Sequence, residues 1–296
     1  MLNYKIKKHM KKILLLVSSS LLLVNSFNAQ DTDADKKFRF GLRIAPTPTW
    51  LRSTDTKLVE KGAAKFGFGF GLQTEFRINS TASFVTGIGG DFLGGKQTYK
   101  NGQGYVLNKD NGYVDSKQSD FTLGASSFTA SSNTNKFYEL KSRSVKATYV
   151  TIPVLLKLMT KDISGLKYFG MFGGNIAIQT KFRATDEVAL LSWNTTTGKY
   201  DAASSTSKIE DLRPTGDLIP VNLALNVGIG AEYNLSGSTS FFVSINYIRG
   251  FINQYQATSD IMVDKITENL NAGTAPTKSK QSGFSDGLQI NLGILF

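Results

Sequence analysis

The sequence predicts an all-β chain, a transmembrane antiparallel up-and-down β-barrel of about eight strands with short periplasmic turns and long extracellular loops. Two observations predict it: a strict two-residue alternation of bulky apolar side chains with glycine or polar ones, and connections that alternate between short and long. The alternation is plainest at Phe66, Phe68, Phe70, Leu72, Phe76 and Ile78, which interleave with Gly67, Gly69, Gly71, Gln73, Glu75 and Arg77. Successive side chains of a strand point to opposite faces, so this stretch has one oily face and one crowded, hydrated face. Such a strand suits lipid outside and a polar interior.

The same period recurs along the chain. Phe38, Phe40, Leu42 and Ile44 alternate with Arg39, Gly41, Arg43 and Ala45. Val221, Leu223, Leu225, Val227, Ile229 and Tyr233 alternate with Asn222, Ala224, Asn226, Gly228, Gly230 and Glu232. Leu288, Ile290, Leu292, Ile294 and Phe296 close the sequence, with Leu295 breaking the beat on the polar side. Period and turn signals together place strands at residues 38–49, 65–78, 81–93, 142–159, 167–183, 218–235, 239–255 and 285–296.

Residues 1–30 read as a cleavable secretory signal, leaving residues 31–296 as one barrel domain. Lys5, Lys7, Lys8, Lys11 and Lys12 give it a basic start, and the apolar segment that follows, 13–24, is too short to span a bilayer. Cleavage is expected within residues 25–30. Removing those five lysines takes the formal charge from +11 to +6. That excess is spread along the chain, which argues against a nucleic-acid partner, since nucleic acid calls for a clustered basic face; contact with anionic lipid headgroups fits it better.

After residue 30 no run of about twenty apolar residues appears, so only a closed barrel would cross a bilayer. The chain has no cysteine, which removes disulfides, thiolate metal sites and a lipoprotein anchor. The connections at 79–80, 160–166 and 236–238 are short, whereas 50–64, 94–141, 184–217 and 256–284 are long and rich in Gly, Ser, Asn, Thr and Lys. That asymmetry sets both termini on the periplasmic side and the long loops outside the cell. Trp50, Phe76, Phe92, Tyr149, Tyr168, Tyr233, Tyr247, Phe251 and Phe296 are candidates for the aromatic belts at the headgroup level.

The segment Tyr149-Val150-Thr151-Ile152-Pro153-Val154-Leu155-Leu156-Lys157 resembles the central motif of PorT-like outer-membrane β-barrel proteins of Bacteroidetes, with Thr151 in place of a glutamate. The opening Phe38-Arg39-Phe40-Gly41-Leu42, the stretch Gly228-Ile229-Gly230-Ala231-Glu232-Tyr233 and the closing Phe296 extend the resemblance over most of residues 31–296. It implies a Gram-negative outer-membrane location and docking with an export machine. Pro153 removes a ladder hydrogen bond in a sheet that has no edge, so a local bulge is expected there.

His9, the sole histidine, lies in the leader, so residues 31–296 hold no imidazole base. Membrane-barrel hydrolases and acyltransferases resemble one another in using one, and a serine without a base is a weak nucleophile. Glu75, Asp91 and Glu232 point inward and are candidates for acid–base work. Inward Arg39, Arg43, Arg77 and Lys157 lie across from them, which favours a salt-bridged plug over a catalytic site, because each buried charge needs a partner. The acids Asp186, Glu187, Asp201, Glu210, Asp211 and Asp217 lack the spacing of a calcium loop and read as solvated.

No cofactor and no metal are expected. The expected partners are outer-membrane lipid and other envelope or secretion proteins met through the loops or the barrel wall. The function these residues favour is a non-enzymatic membrane scaffold or partner-binding component linked to secretion. A passive small-solute channel is the alternative, supported by the inward glycines. A soluble lipocalin-type barrel would require both faces of every strand to be reversed.

Overall fold

The computed structural model describes residues 37–100, 102–108, 110, 112–113, 136–273 and 277–296. The expected leader, 1–30, and much of the second long connection lie outside them. In chain order the described residues form β1 (Phe38–Arg52), β2 (Val59–Lys61), β3 (Lys65–Arg77), β4 (Ala82–Tyr99), β5 (Gly104–Leu107), β6 (Lys136–Met159) and β7 (Leu166–Asn194). There follow β8 (Lys199–Ala202), β9 (Ser207–Leu212), β10 (Val221–Ser236), β11 (Thr239–Gly250), β12 (Thr258–Val263), helix α1 (Ile266–Ala272), β13 (Lys278–Lys280) and β14 (Phe284–Leu295).

Eight strands close a ring in the order β1-β3-β4-β6-β7-β10-β11-β14, each antiparallel to both neighbours. Gly41 registers with Leu295 across the closing pair, and the Phe296 N–H donates to the Phe40 carbonyl at 2.7 Å. Closure leaves no edge, which is the only way for strands to satisfy their backbone in hydrocarbon. No helix of the described residues is long and apolar enough to cross a membrane.

The faces follow the alternation. Phe40, Leu42, Phe66, Phe70, Leu72, Phe172 and Ile229 are exposed on the outer wall, whereas Arg39, Arg43, Gln73, Glu75, Asn226 and Glu232 are buried inside. An exposed belt of this size is intelligible only against lipid. Of the proposed aromatic belt, Tyr149 is misplaced. It registers with inward Asp91 and is only 2 % exposed, and its hydroxyl accepts a hydrogen bond from Gln254 Nε2 at 3.0 Å.

The expected bulge at Pro153 is also absent. The β4–β6 register runs from Thr86↔Val154 to Gly89↔Thr151 without a shift, and the two pairs between them are skipped. Gly87, facing the gap, takes φ +155°, and a Cβ there would meet the Leu72 carbonyl oxygen at 2.1 Å. The missing proline N–H thus leaves two β4–β6 pairs unformed without an inserted residue in that register.

At the long-loop end, β6 and β7 run well past the lipid-facing residues Val150 and Ile178, and the polarity of their faces inverts. Val145, Ala147, Ala184 and Val188 point inward, while Lys146 and Lys181 point out. The stretches read as loops are therefore partly strand. β5 pairs with the extension of β6, β12 pairs with β5 and β13, β8 and β9 pair with β7, and β2 pairs with β4. The 239–255 strand ends at Gly250, and Tyr255 turns inward, fully buried.

Together these segments form a cap with its own apolar core, including Leu51, Val59, Tyr99, Tyr105, Leu140, Tyr255 and Met262. A second cluster of Val106, Phe137, Leu191, Tyr200, Val263, Ile266 and Leu270 seats α1. Two acids read as solvated are wholly buried here. Asp186 receives Arg143 Nε at 2.8 Å, Arg143 Nη2 at 2.7 Å and the Tyr105 hydroxyl at 2.8 Å. Asp217 accepts from the Asp260 N–H at 2.8 Å, from Gln281 Nε2 at 2.7 Å and from the Ser259 hydroxyl. Asp201, Glu210 and Asp211 are exposed and Glu187 half-buried.

A charge on the outer wall should block assembly where a charge on the cap does not. Leu225→Arg, near the middle of the apolar belt, should cost about 2 to 4 kcal/mol, and Ser204→Arg nearly nothing. Equal folding yields in detergent, read from heat-dependent gel mobility, would contradict the assigned faces.

The cap should also melt at alkaline pH. Burial pushes the phenols of Tyr99, Tyr105 and Tyr113 up, Tyr99 to about 12, and Asp186 further opposes their ionisation. An unfolded tyrosine ionises near about 10, so their contribution is complete below that pH and is lost as pH rises toward the folded values. Phenolate absorbance from these three, isolated by Tyr→Phe difference, should appear only with loss of near-ultraviolet dichroism. Ionisation at ordinary pH in the intact cap would contradict the packing.

Candidate functional site in the barrel interior

An eight-stranded ring is just wide enough for its inward side chains to meet in the middle. The inward glycines make this possible, since large side chains from one strand lie over glycines of the next. A Cβ at Gly230 would fall 2.5 Å from the Phe169 ring, one at Gly228 2.4 Å from the Asn246 amide carbon, and one at Gly69 2.1 Å from Asp91 Oδ1. The glycines are sockets, not open lumen.

At the short-turn end, four of the predicted charges form a closed set. Arg39, on β1, faces Glu75, its register partner on β3, at 3.0 Å and holds Glu232, on β10, through Nη1 and Nη2 at 2.5 and 3.2 Å. Lys157, on β6, donates to Glu75 at 3.0 Å and to Glu232 at 2.6 Å. Each cation serves both acids. The two positive and two negative charges balance, and all four residues are nine-tenths or more buried.

An apolar collar surrounds this set, made of Val85, Leu155, Met159, Phe169, Met171, Phe242 and Leu295. Leu295, the broken beat of the last strand, belongs to it. Lys157 Nζ sits 4.5 Å above the Phe169 ring, so the cation is held from its apolar side as well.

The other three predicted charges are not part of the set. Arg43 donates to Asn291 Oδ1 at 2.9 Å rather than to a carboxylate. Asp91 is buried against Gly69, with Oδ1 outside any hydrogen bond. Arg77 lies half-buried at the short-turn end of β3. By register, Arg43 opposite Gly71 and Asp91 opposite Gly69 stand nearer the long-loop end than Glu75 and its cluster.

What Arg43 meets instead went unrecognised in the sequence. Asn291 Nδ2 donates to Asn246 Oδ1 at 3.0 Å, Asn246 to Asn226 at 2.7 Å, and Asn226 to Asn175 at 3.1 Å, with Ser244 bridging Asn246 and Asn291. This amide chain crosses β14, β11, β10 and β7 in ring order. The signal was present as four inward asparagines, but nothing in a linear sequence says that they share a height.

Small spaces lie between these layers. One of about 20 Å³ adjoins Arg43, Gln73 and the asparagines, and one of about 40 Å³ lies above it among Thr47, Asp91, Thr151, Asn222 and Gln289. Farther up, Asp286 accepts from Arg52 Nε at 2.9 Å, beneath the cap. Chemically, Glu75 and Glu232 are saturated by cations, and among the described residues no group of three or more His, Cys, Asp or Glu side chains is placed to hold a metal.

Comparison with solved structures finds matches at low identity. Neisserial surface protein A matches with 10 % identity over 88 % of this chain and 97 % of its own, at TM-score 0.34. Ail of Yersinia pestis matches with 9 % identity over 88 % and 100 %, at 0.30, and the outer membrane protease OmpT of Escherichia coli with 9 % over 92 % and 99 %, at 0.31. No curated protein matches the chain. The model of the outer membrane protein beta-barrel domain matches residues 28–256, which is most of the sequence. That match over most of the sequence shows the family: the chain belongs to the outer membrane β-barrel domain proteins.

Proposed function

We propose that this outer-membrane barrel is a non-enzymatic, closed scaffold whose ordered cap and wall engage a protein partner, with a component of the export apparatus as the partner class. The occupied interior carries this reading. A buried water needs about 10–15 Å³ of accessible space, so cavities of about 20 and 40 Å³ hold one to a few waters and not a solute path. The Arg39, Lys157, Glu75 and Glu232 cluster closes one end, and the cap core covers the other.

The alternative reading, a small-solute channel, drew on the inward glycines. Their space is taken by Phe169, Asn246 and Asp91. A non-enzymatic role is supported by the lack of histidine after His9 and by two acids already neutralised by their neighbours. The similarity of Tyr149 to Lys157 to the PorT-like motif supports an export partner, and the leader-like residues 1–30 support delivery across the inner membrane.

Planar-bilayer recording tests the closed interior: conductance should be small or absent, and large stable steps would put the channel reading first. Glu75→Ala leaves Arg39 and Lys157 sharing one carboxylate, a loss of about 3 to 5 kcal/mol where burial is complete. The variant should unfold at lower denaturant or conduct. Deleting the gene and assaying secretion tests the partner class separately, because unchanged secretion would remove the export role and leave the scaffold.

A further inference from the structure

We infer that the outer wall just above the apolar belt on β3, β4, β6 and β7 is a docking surface for the phosphorylated headgroup of an outer-leaflet glycolipid. Five cations converge there. The Lys65 stem lies across the outer face of β4, where a Cβ added at Gly94 would meet its Cδ at 3.2 Å. Gly94 registers with Lys146, Lys146 with Arg183, and Thr148 with Lys181, while Lys96 follows Gly94 on the same face of β4. The patch is contiguous across four strands.

Its charge is not balanced from within. Lys96 has Glu187 at 3.7 Å and Arg183 has Asp211 at 2.6 Å. Among the described residues no carboxylate lies within the 4.0 Å of an ion pair from Lys65, Lys146 or Lys181. Burial first, and then the neighbouring charges of Lys146 and Lys96, hold the Lys65 ammonium below its usual range. A ligand bearing several negative charges relieves that repulsion.

Height selects a lipid over a soluble anion. Phe66, Phe68 and Phe92 are exposed directly beneath, with Val150 and Ile178 on the adjoining strands. Lys96 lies four residues beyond Phe92, and Lys146 four beyond Val150. At about 3.3 Å per residue and a tilt of about 40°, that is roughly 10 Å above the belt. The headgroup layer extends about 5–8 Å from the hydrocarbon, and lysine stems bend to reach it. One molecule with acyl chains on the phenylalanines and phosphates among the lysines satisfies both surfaces. The long-loop end faces outward in barrels of this family, so the leaflet is the outer one; whether the interior conducts has no bearing.

The test uses the full barrel in mixed micelles, with bisphosphorylated lipid A and its dephosphorylated form as probes, read by native mass spectrometry and by the shift in thermal unfolding. The phosphorylated lipid should bind at least tenfold tighter, and the preference should weaken with added salt. The triple variant Lys65→Gln, Lys146→Gln, Lys181→Gln should lose it. A charge-matched control, Lys57→Gln, Lys161→Gln, Lys199→Gln, should keep it. Equal binding of the two lipids, equal loss in both triple variants, or a binding preference indifferent to salt would overturn the proposal. So would a soluble sulfated oligosaccharide that competes as well as lipid A. The salt response of the unaltered protein decides even if a variant fails to assemble.

Discussion

Eight strands leave an interior about one side chain deep, and hydrocarbon outside forbids any strand edge from staying open. These two conditions shape most of what the barrel contains. Inward positions must be occupied, yet not by residues of equal bulk, so glycines stand opposite Phe169, Asn246 and Phe242. Charges admitted to such a space must neutralise one another on the spot, and Arg39, Lys157, Glu75 and Glu232 do so from four different strands. The cluster therefore ties β1, β3, β6 and β10 across the ring, where the backbone ladder ties only neighbours. A buried set of this kind is weak evidence for added stability, but it penalises any slipped register, since a one-residue shift would send a charge into lipid.

The cap obeys the opposite rule with the same strands. Below Val150 and Ile178 the outer faces of β6 and β7 are apolar and the inner ones mix Lys157 and Asn175 with the apolar collar; above them Lys146 and Lys181 face out while Ala147, Val145 and Ala184 turn the apolar side in. The reversal marks where lipid gives way to water. Because the cap has a true apolar core, it shelters the Arg143–Asp186 pair and the phenols of Tyr105 and Tyr113 around it. The ordered top is thus a small water-exposed fold built on a membrane one.

The spans were legible because lipid enforces uniformity on one face over many residues, and the eye needs only period two. The ends of β6 and β7 were not, since beyond the membrane the outer face turns polar and an extra residue between Gln179 and Lys181 shifts the phase of β7, so Ala184 to Leu191 looks like loop. Of the interior, the inward direction of Arg39, Glu75, Lys157 and Glu232 could be read from their neighbours in sequence. Their meeting, and the separation of Arg43 and Asp91 from them, depends on strand stagger around the ring. Stagger leaves no mark on a single strand, which is also why four asparagines at one height escaped notice. Pro153 marks a real interruption of the ladder but not a bulge, because the β4–β6 register continues unchanged beyond the two unformed pairs.

The pairing of β1 with β14 bears on how the wall is made. Gly41 and Leu295 stand at nearly opposite ends of the sequence, so the seam that closes the ring joins its most distant residues. Every other junction of the ring links strands nearer in the chain, and until β14 docks, both β1 and β11 present unpaired backbone. A partly inserted sheet thus has no stable resting place in hydrocarbon. Loop-closure entropy for so long a separation is spent all at once at the end. Assembly of this barrel is accordingly a last-step event, and a helper that holds the two open margins together until they meet would act at the one junction where the chain cannot help itself.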